Sequence, residues 1–219
     1  AVTPVFPGVP TTAGPPVAAG PPGGVPPALC PSLILNDCEA RCAVGVQALM
    51  DIAVRREGEM DIVGLSGNLL LRALLERGER SGVLKVALAH TGSSPRATIR
   101  AAAEGPEVGL EICGPHDRHY GMLRPQPDGM HIVTQADKVL MVMDSLSVGP
   151  KILVSTGAGQ RLAAASVSAD YAGGREHLEL RVQPGFDMVL VIACVLAVLL
   201  LNNRLDHPSV KSWLHRASL

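Results

Sequence analysis

The stretch from Met188 to Leu201, MVLVIACVLAVLLL, limits what this chain can fold into more than any other. It is apolar on every side and contains no charge and no helix breaker. Asp187 stands where an N-cap belongs, and Asn202, Asn203 and Arg204 form a helix end. A helix that is apolar all round must be enclosed, by lipid or by protein. A membrane span needs about 20 residues, whereas a run of about 10–14 has the length of a buried core helix. A buried helix over 187–202 is therefore expected, with Met188, Val191, Cys194, Val195 and Val198 among its enclosed residues. The alternative is a single-pass anchor over 186–201, with Arg204, His207, Lys211, His215 and Arg216 as its positive flank.

The remainder of the chain must then supply the enclosure. From Cys30 onward, short apolar segments are separated by Gly, Pro, Asp and Ser turns. Many alternate with a period of two, the mark of a half-buried strand. In 83–90, Leu84, Val86 and Leu88 oppose Lys85; in 175–182, Leu178, Leu180 and Val182 oppose His177, Glu179 and Arg181. In 95–101, Arg96, Thr98 and Arg100 oppose Ala97 and Ile99. The same reading marks strands near 40–46, 60–64, 108–114, 119–124, 130–135, 138–144, 151–156 and 161–168. Segment 68–76 reads as a strand or a short helix. Turn signals intervene at Gly114-Pro115, Asp128-Gly129, Gly149-Pro150, Gly157-Ala158-Gly159 and Gly173-Gly174. About a dozen strands before one helix indicate an all-β meander and not alternating βαβ units. An eight-stranded barrel has room only for side chains, whereas a larger one can hold a helix about 10–12 Å across. The expected fold is mainly β: a closed antiparallel barrel of about twelve strands around the C-terminal hydrophobic helix.

Composition agrees. A chain of 219 residues suits one large domain with tails, and its hydrophobic content of 47% is ample for a core. Aromatics are only 2%, so that core must be aliphatic. A net charge of −1 provides no global field for nucleic acid, so no nucleic-acid partner is expected. Five cysteines (Cys30, Cys38, Cys42, Cys113, Cys194) form no secreted-type pairing pattern and point to a reducing, intracellular compartment. Residues 1–29 are a Pro/Gly-rich tract expected to be an extended arm that cannot bury a core. Residues 203–219 form a tail in which Val210, Trp213, Leu214 and Ala217 share one side of a short amphipathic helix. Trp213 and Leu214 are its candidate partner-docking residues.

Two stretches carry a resemblance. Leu110–Gly129, LEICGPHDRHYGMLRPQPDG, is similar to a pattern of strand, Gly-Pro, turn, Tyr-Gly, strand and Asp-Gly. Glu179–Val198, ELRVQPGFDMVLVIACVLAV, is similar to a last strand, Pro-Gly-x-Asp and closing helix. Both resemble the tubby C-terminal-like superfamily, which includes the LURP-one-related proteins and the phospholipid scramblases. The resemblance spans about 40–202 and implies a twelve-stranded barrel around a central helix. It also implies phosphoinositide binding through basic side chains, as in tubby-type members, or calcium-linked lipid movement, as in scramblases. The chain lacks a cysteine-rich run before the barrel and an acidic segment beside the helix, and it continues past the helix to Leu219.

Candidate chemistry is sparse. Gly64-Leu65-Ser66-Gly67-Asn68 lacks the last glycine of a nucleophile elbow and reads as a hairpin turn. Ser155–Gln160 is glycine-rich, but no Gly-Lys-Ser/Thr follows it, so it reads as a turn and not as a phosphate cradle. His116, Asp117, His119 and His131 have suitable ligand chemistry but no regular metal spacing, and Cys38 and Cys42 fall short of a paired zinc motif. No catalytic, metal or cofactor site is expected. Among the basic residues Arg55, Arg56, Arg72, Arg77, Arg80, Lys85, Arg96 and Arg100, a headgroup patch would be built on Lys85, Arg96 and Arg100. Interleaved Glu57, Glu59, Glu76, Glu79 and Glu104 favour a solvated face of mixed charge. The leading functional expectation is a non-catalytic accessory subunit of a larger membrane-associated assembly, possessing protein partners, in a chloroplast or mitochondrion. Peripheral phospholipid binding is the alternative.

Overall fold

The computed structural model describes residues 28–77, 82–88, 94–102, 109–145, 151–168 and 176–201. The proline-rich arm up to residue 27 and the tail from 202, with Trp213 and Leu214, lie outside the described residues. In chain order the elements are β1 (Ala40–Gly45), α1 (Val46–Arg55), β2 (Gly58–Gly64), β3 (Leu69–Glu76), β4 (Val83–Leu88) and β5 (Ala97–Ala101). They continue with β6 (Leu110–Cys113), β7 (His119–Pro125), β8 (His131–Gln135), β9 (Lys138–Asp144), β10 (Lys151–Ser155), β11 (Arg161–Ser168), β12 (His177–Val182) and α2 (Met188–Leu200). Each strand pairs antiparallel with its sequence neighbours, and β1 pairs with β12, so the sheet closes into a barrel. Closure leaves no open edge.

The alternation seen in the sequence is the alternation of the wall. In β3, Leu71, Ala73 and Leu75 are buried while Leu70, Arg72 and Leu74 are half-buried, so 69–76 is a strand and not a helix. Registers from Leu71↔Leu88 to Glu76↔Val83 hold it to β4. Inward residues such as Ile62, Val86, Ile99, Ile112, Val154 and Leu180 are buried in one core cluster with α2, whose thirteen residues are all buried as well. The expected central helix is thus present, with Met188, Val191, Cys194, Val195 and Val198 inside the barrel. The geometry of a membrane span over 186–201 is not found: the helix ends at Leu200, protein surrounds its whole circumference, and among the described residues no helix is long and apolar enough to cross a membrane.

Both ends of the lumen are closed. Where α2 enters, the buried Asp187 carboxylate accepts the Leu190 amide at 3.1 Å and also the Cys30 amide. Gly185 donates its amide to the Leu35 carbonyl at 2.8 Å, Ile34 bridges to Asp187, and Leu29 and Cys30 are buried beside them. Residues 29–35 therefore lie across this mouth as a strap. At the other end α1 packs its buried Val46, Leu49 and Ile52 face against β1, β2 and α2. Arg56, the left-handed residue that ends α1, donates from Nη1 to the Leu200 carbonyl at 3.3 Å. A cation at a helix C-terminus also opposes the helix dipole. The sequence reading missed α1, because its Gly45 N-cap makes no side-chain bond and a left-handed Arg56 stands where glycine usually marks a helix end.

Leu196 lies at the centre of this packing. Leu196→Ala should cost about 2–5 kcal/mol in urea denaturation, whereas Leu65→Ala at a turn where Leu65 is 56% exposed should stay within about 0.5 kcal/mol. Asp187→Ala, which strips the cap from α2 and leaves the buried Cys30 amide unpaired, should cost about 2 kcal/mol or more. Gly121 faces a second constraint: a Cβ there would sit 2.3 Å from the Thr134 carbonyl oxygen. Gly121→Ala should therefore lower the melting temperature, while Gly157→Ala, where the nearest atom is 3.6 Å away, should not.

Candidate functional site

With the lumen filled, the chemistry available to a partner is on the outer face of the barrel. On β1–β6 and β12 that face carries a series of ion pairs: the registers bring Arg72, Lys85 and Arg100 to acids on neighbouring strands, while Arg41 and Arg181, which face each other, each pair with an acid two residues earlier in the chain. Arg72 Nε lies 2.8 Å from Asp61 Oδ1 and its Nη1 3.9 Å from Glu59 Oε2. Lys85 Nζ lies 2.6 Å from Glu76 Oε1. Arg100 Nε lies 3.0 Å from Glu111 Oε2, and its Nη1 is 3.9 Å from Asp117 Oδ1. His119 Nδ1 adds a 3.0 Å contact to Glu111 Oε1. Arg41 pairs with Glu39, and Arg181 makes two 3.1 Å bonds to Glu179. The His119 hydrogen bond, joined by Arg100, holds the Glu111 carboxyl below its usual range, and Asp61 raises the Arg72 guanidinium.

Lys85, Arg96 and Arg100 do share one outer face: Lys85 sits opposite Thr98, midway between the two arginines along β5. Lys85 and Arg100, however, are already neutralised by Glu76 and Glu111. Arg96 is half-buried, its amide donates to the Val86 carbonyl at 2.8 Å, and its Nε is buried without a hydrogen-bond partner among the described residues. The expected mixed-charge face is what these strands carry.

The other half of the wall differs. Outward positions of β7–β11 form a row read directly from the registers: Arg124↔Ile132, Ile132↔Val142, Val142↔Ser155 and Ser155↔Arg161. Met122 and Val139 lie on one side of that row, Leu153 and Ala164 on the other. Arg124, Lys138, Lys151 and Arg161 are all exposed, and none has an ion-pair partner among the described residues. The strands of this half carry a single acid, Asp144, which lies beside Leu153 and has a partner of its own. None of these four cations was singled out in the sequence. Their isolation depends on which strands neighbour them, and only a run of five strands almost devoid of Asp and Glu from 119 to 168 hinted at it.

The remaining candidates resolve simply. His131 is buried on the inner side of β8, while His116, Asp117 and His119 are exposed at the β6–β7 turn, so the four do not converge. Gly64–Asn68 is a hairpin turn closed by Gly64 N to Asn68 O at 2.8 Å, with the Ser66 hydroxyl 2.6 Å from Asn68 Oδ1. Ser155–Gln160 is likewise a turn, closed by Thr156 N to Gln160 O. All five cysteines are free thiols. Burial, with Glu179 nearby, pushes the Cys42 thiol up to about 12, and burial also raises Cys113 and Cys194. Such thiols carry little of the thiolate needed for nucleophilic or metal chemistry.

These features define the class as a twelve-stranded antiparallel barrel threaded by its own C-terminal hydrophobic helix. A crystal structure of a protein from Arabidopsis thaliana has a similar fold, with a TM-score of 0.54 and 14% identity over 80% of this chain and 96% of that one. No family model and no curated protein matches the chain.

The Glu111 network makes a pH prediction. Its carboxyl is lowered in the folded state, so the stabilisation is present above the unfolded carboxylate pKa of about 4.3 and is lost as pH falls through the folded value. Glu111→Gln should cost about 0.2–1 kcal/mol at pH 7, as for partly exposed pairs. Denaturation of both proteins along an acid series should show that difference vanishing below about pH 4.

Proposed function

We propose that this protein is a non-catalytic accessory subunit of a larger, membrane-associated assembly, in which a tubby or LURP-one-like barrel is the rigid body and the two chain ends are docking straps. The observation that carries the reading is the filled lumen. Thirteen buried residues of α2 occupy the space in which a barrel of this size would otherwise hold a ligand. With both mouths closed, only the outer face and the chain ends remain for recognition. The family reading draws support from the two motif stretches as they fold. Leu110–Gly129 runs as β6, a Gly114-Pro115 turn, Tyr120-Gly121 in β7 and an Asp128-Gly129 turn, and Pro184-Gly185-Phe186-Asp187 leads into α2. A chloroplast or mitochondrial assembly is the host class this proposal favours.

A second reading, peripheral phospholipid binding, draws on a specific observation, the four cations of β7–β11 that have no ion-pair partner among the described residues, and not on Lys85, Arg96 and Arg100. Extraction of the native protein with carbonate or high salt, followed by sizing, separates the readings. Retention until detergent is added, with co-migration in a large complex, is the expected result for the accessory subunit. Release as a lone 22.8 kDa species would remove that reading and leave binding to anionic vesicles to be measured.

A further inference from the structure

We infer that the outer face of β7–β11 is a docking surface for an acidic amphipathic helix of a partner protein. The inference rests on the accessory-subunit reading and names the surface and the partner chemistry that it leaves open. The row Arg124, Ile132, Val142, Ser155, Arg161 crosses five adjacent strands, with an arginine at each end and an apolar pair inside. Met122, Val139 and Leu153 widen the apolar strip, and Lys138 and Lys151 stand on either side of it.

Four considerations select the occupant. First, the strand cations Arg41, Arg72, Lys85, Arg100 and Arg181 each pair with an acid of this chain, whereas Arg124, Lys138, Lys151 and Arg161 have no ion-pair partner among the described residues. Free cations ringing an apolar strip call for a ligand that is itself apolar in the middle and acidic at its margins. Second, five strands at about 4.8 Å spacing span about 19 Å, the length of roughly 13 helical residues at 1.5 Å each. A helix of that length sets anchors at i, i+3, i+4 and i+7 against such a strip. Third, a membrane takes up apolar tips that sink about 5–10 Å into the headgroup boundary. Ile132, Val142 and Leu153 are only half-buried residues of the wall, and Val139, 45% exposed, is the one apolar residue of the strip with the exposure such insertion uses. Fourth, a second copy joined by a two-fold axis would set this cationic surface against itself.

The test uses the full-length protein and a labelled synthetic helix of about 14 residues, with Leu at i, i+3, i+4 and i+7 and Glu at both ends. A control peptide carries Lys in place of Glu. Fluorescence anisotropy should show binding of the acidic peptide that weakens as salt is raised and little binding of the control. The double variant Arg124→Glu/Arg161→Glu should weaken it at least about tenfold. Arg72→Glu, on the ion-paired half, should leave it unchanged. Both altered arginines of the double variant are exposed, and unfolding curves verify the fold; Arg124→Gln/Arg161→Gln gives a milder loss in the same direction. Equal binding of the two peptides, or acidic-peptide binding untouched by the double variant, overturns the inference. So does binding of phosphatidylserine vesicles, without peptide binding, that the double variant abolishes, because the surface is then a lipid site. Self-association in sedimentation that the double variant dissolves also overturns it. Peptide binding is read independently of native extraction, so a lone native species removes the assembly reading without deciding this one.

Discussion

Asp187 is the point on which the architecture turns. Its carboxylate is 6% exposed, and a buried carboxylate is costly unless donors surround it. Here one oxygen caps the first turn of α2 and the other takes the Cys30 amide, so the same group starts the central helix and fastens the strap across its entrance. The helix in turn is what the wall folds around. Without α2 the inward faces of twelve strands would have no apolar partner, since a barrel this wide cannot be filled by its own aliphatic side chains. Arg56 repeats the logic at the far end, where a cation meets the last carbonyls of the helix.

A filled, closed barrel spends its hydrophobic content internally, and this explains how a chain with 47% hydrophobic residues and 2% aromatics builds a well-packed interior. The lumen is lined by Leu, Ile, Val, Ala and Met, with small residues such as Ala73, Ala97 and Ala165 facing inward and letting the wall approach the helix. Gly121 serves the same close approach within the wall, next to the Thr134 carbonyl. Interior packing leaves thiols such as Cys42 and Cys194 deep in apolar surroundings, where burial suppresses their ionisation.

The exterior has two characters on one sheet. From β2 to β6 opposite charges meet across neighbouring strands, and on β12 Arg181 pairs with Glu179 of its own strand, which lowers the local field and presents a hydrated surface. From β7 to β11 Arg124, Lys138, Lys151 and Arg161 have no ion-pair partner among the described residues, and apolar residues lie between them. Exposed ion pairs add little to stability. Their effect here is to balance most of the charge on one half of the barrel, in contrast to the exposed cations of β7–β11.

Much of this fold is legible in the chain. Period-two alternation and turn signals marked eleven of the twelve strands and left 68–76 open between strand and helix, and the length and all-round apolar character of the run from Met188 to Leu201 marked a helix needing enclosure. These signals are local: burial of one face imposes its period on the residues themselves. α1 stayed hidden, because its caps are backbone groups and a left-handed arginine, which leave no signature in residue type. The surface was the least legible part. Lys85 and Arg100 look as basic in the sequence as Arg124 and Arg161, and the difference is that Glu76 and Glu111 lie one strand away while the latter pair has no acid partner among the described residues. The sequence by itself determined which residues face inward and that one helix must be enclosed. Only the tertiary structure decided which charges are neutralised, because strand register brings together residues whose separation along the chain carries no trace of their contact.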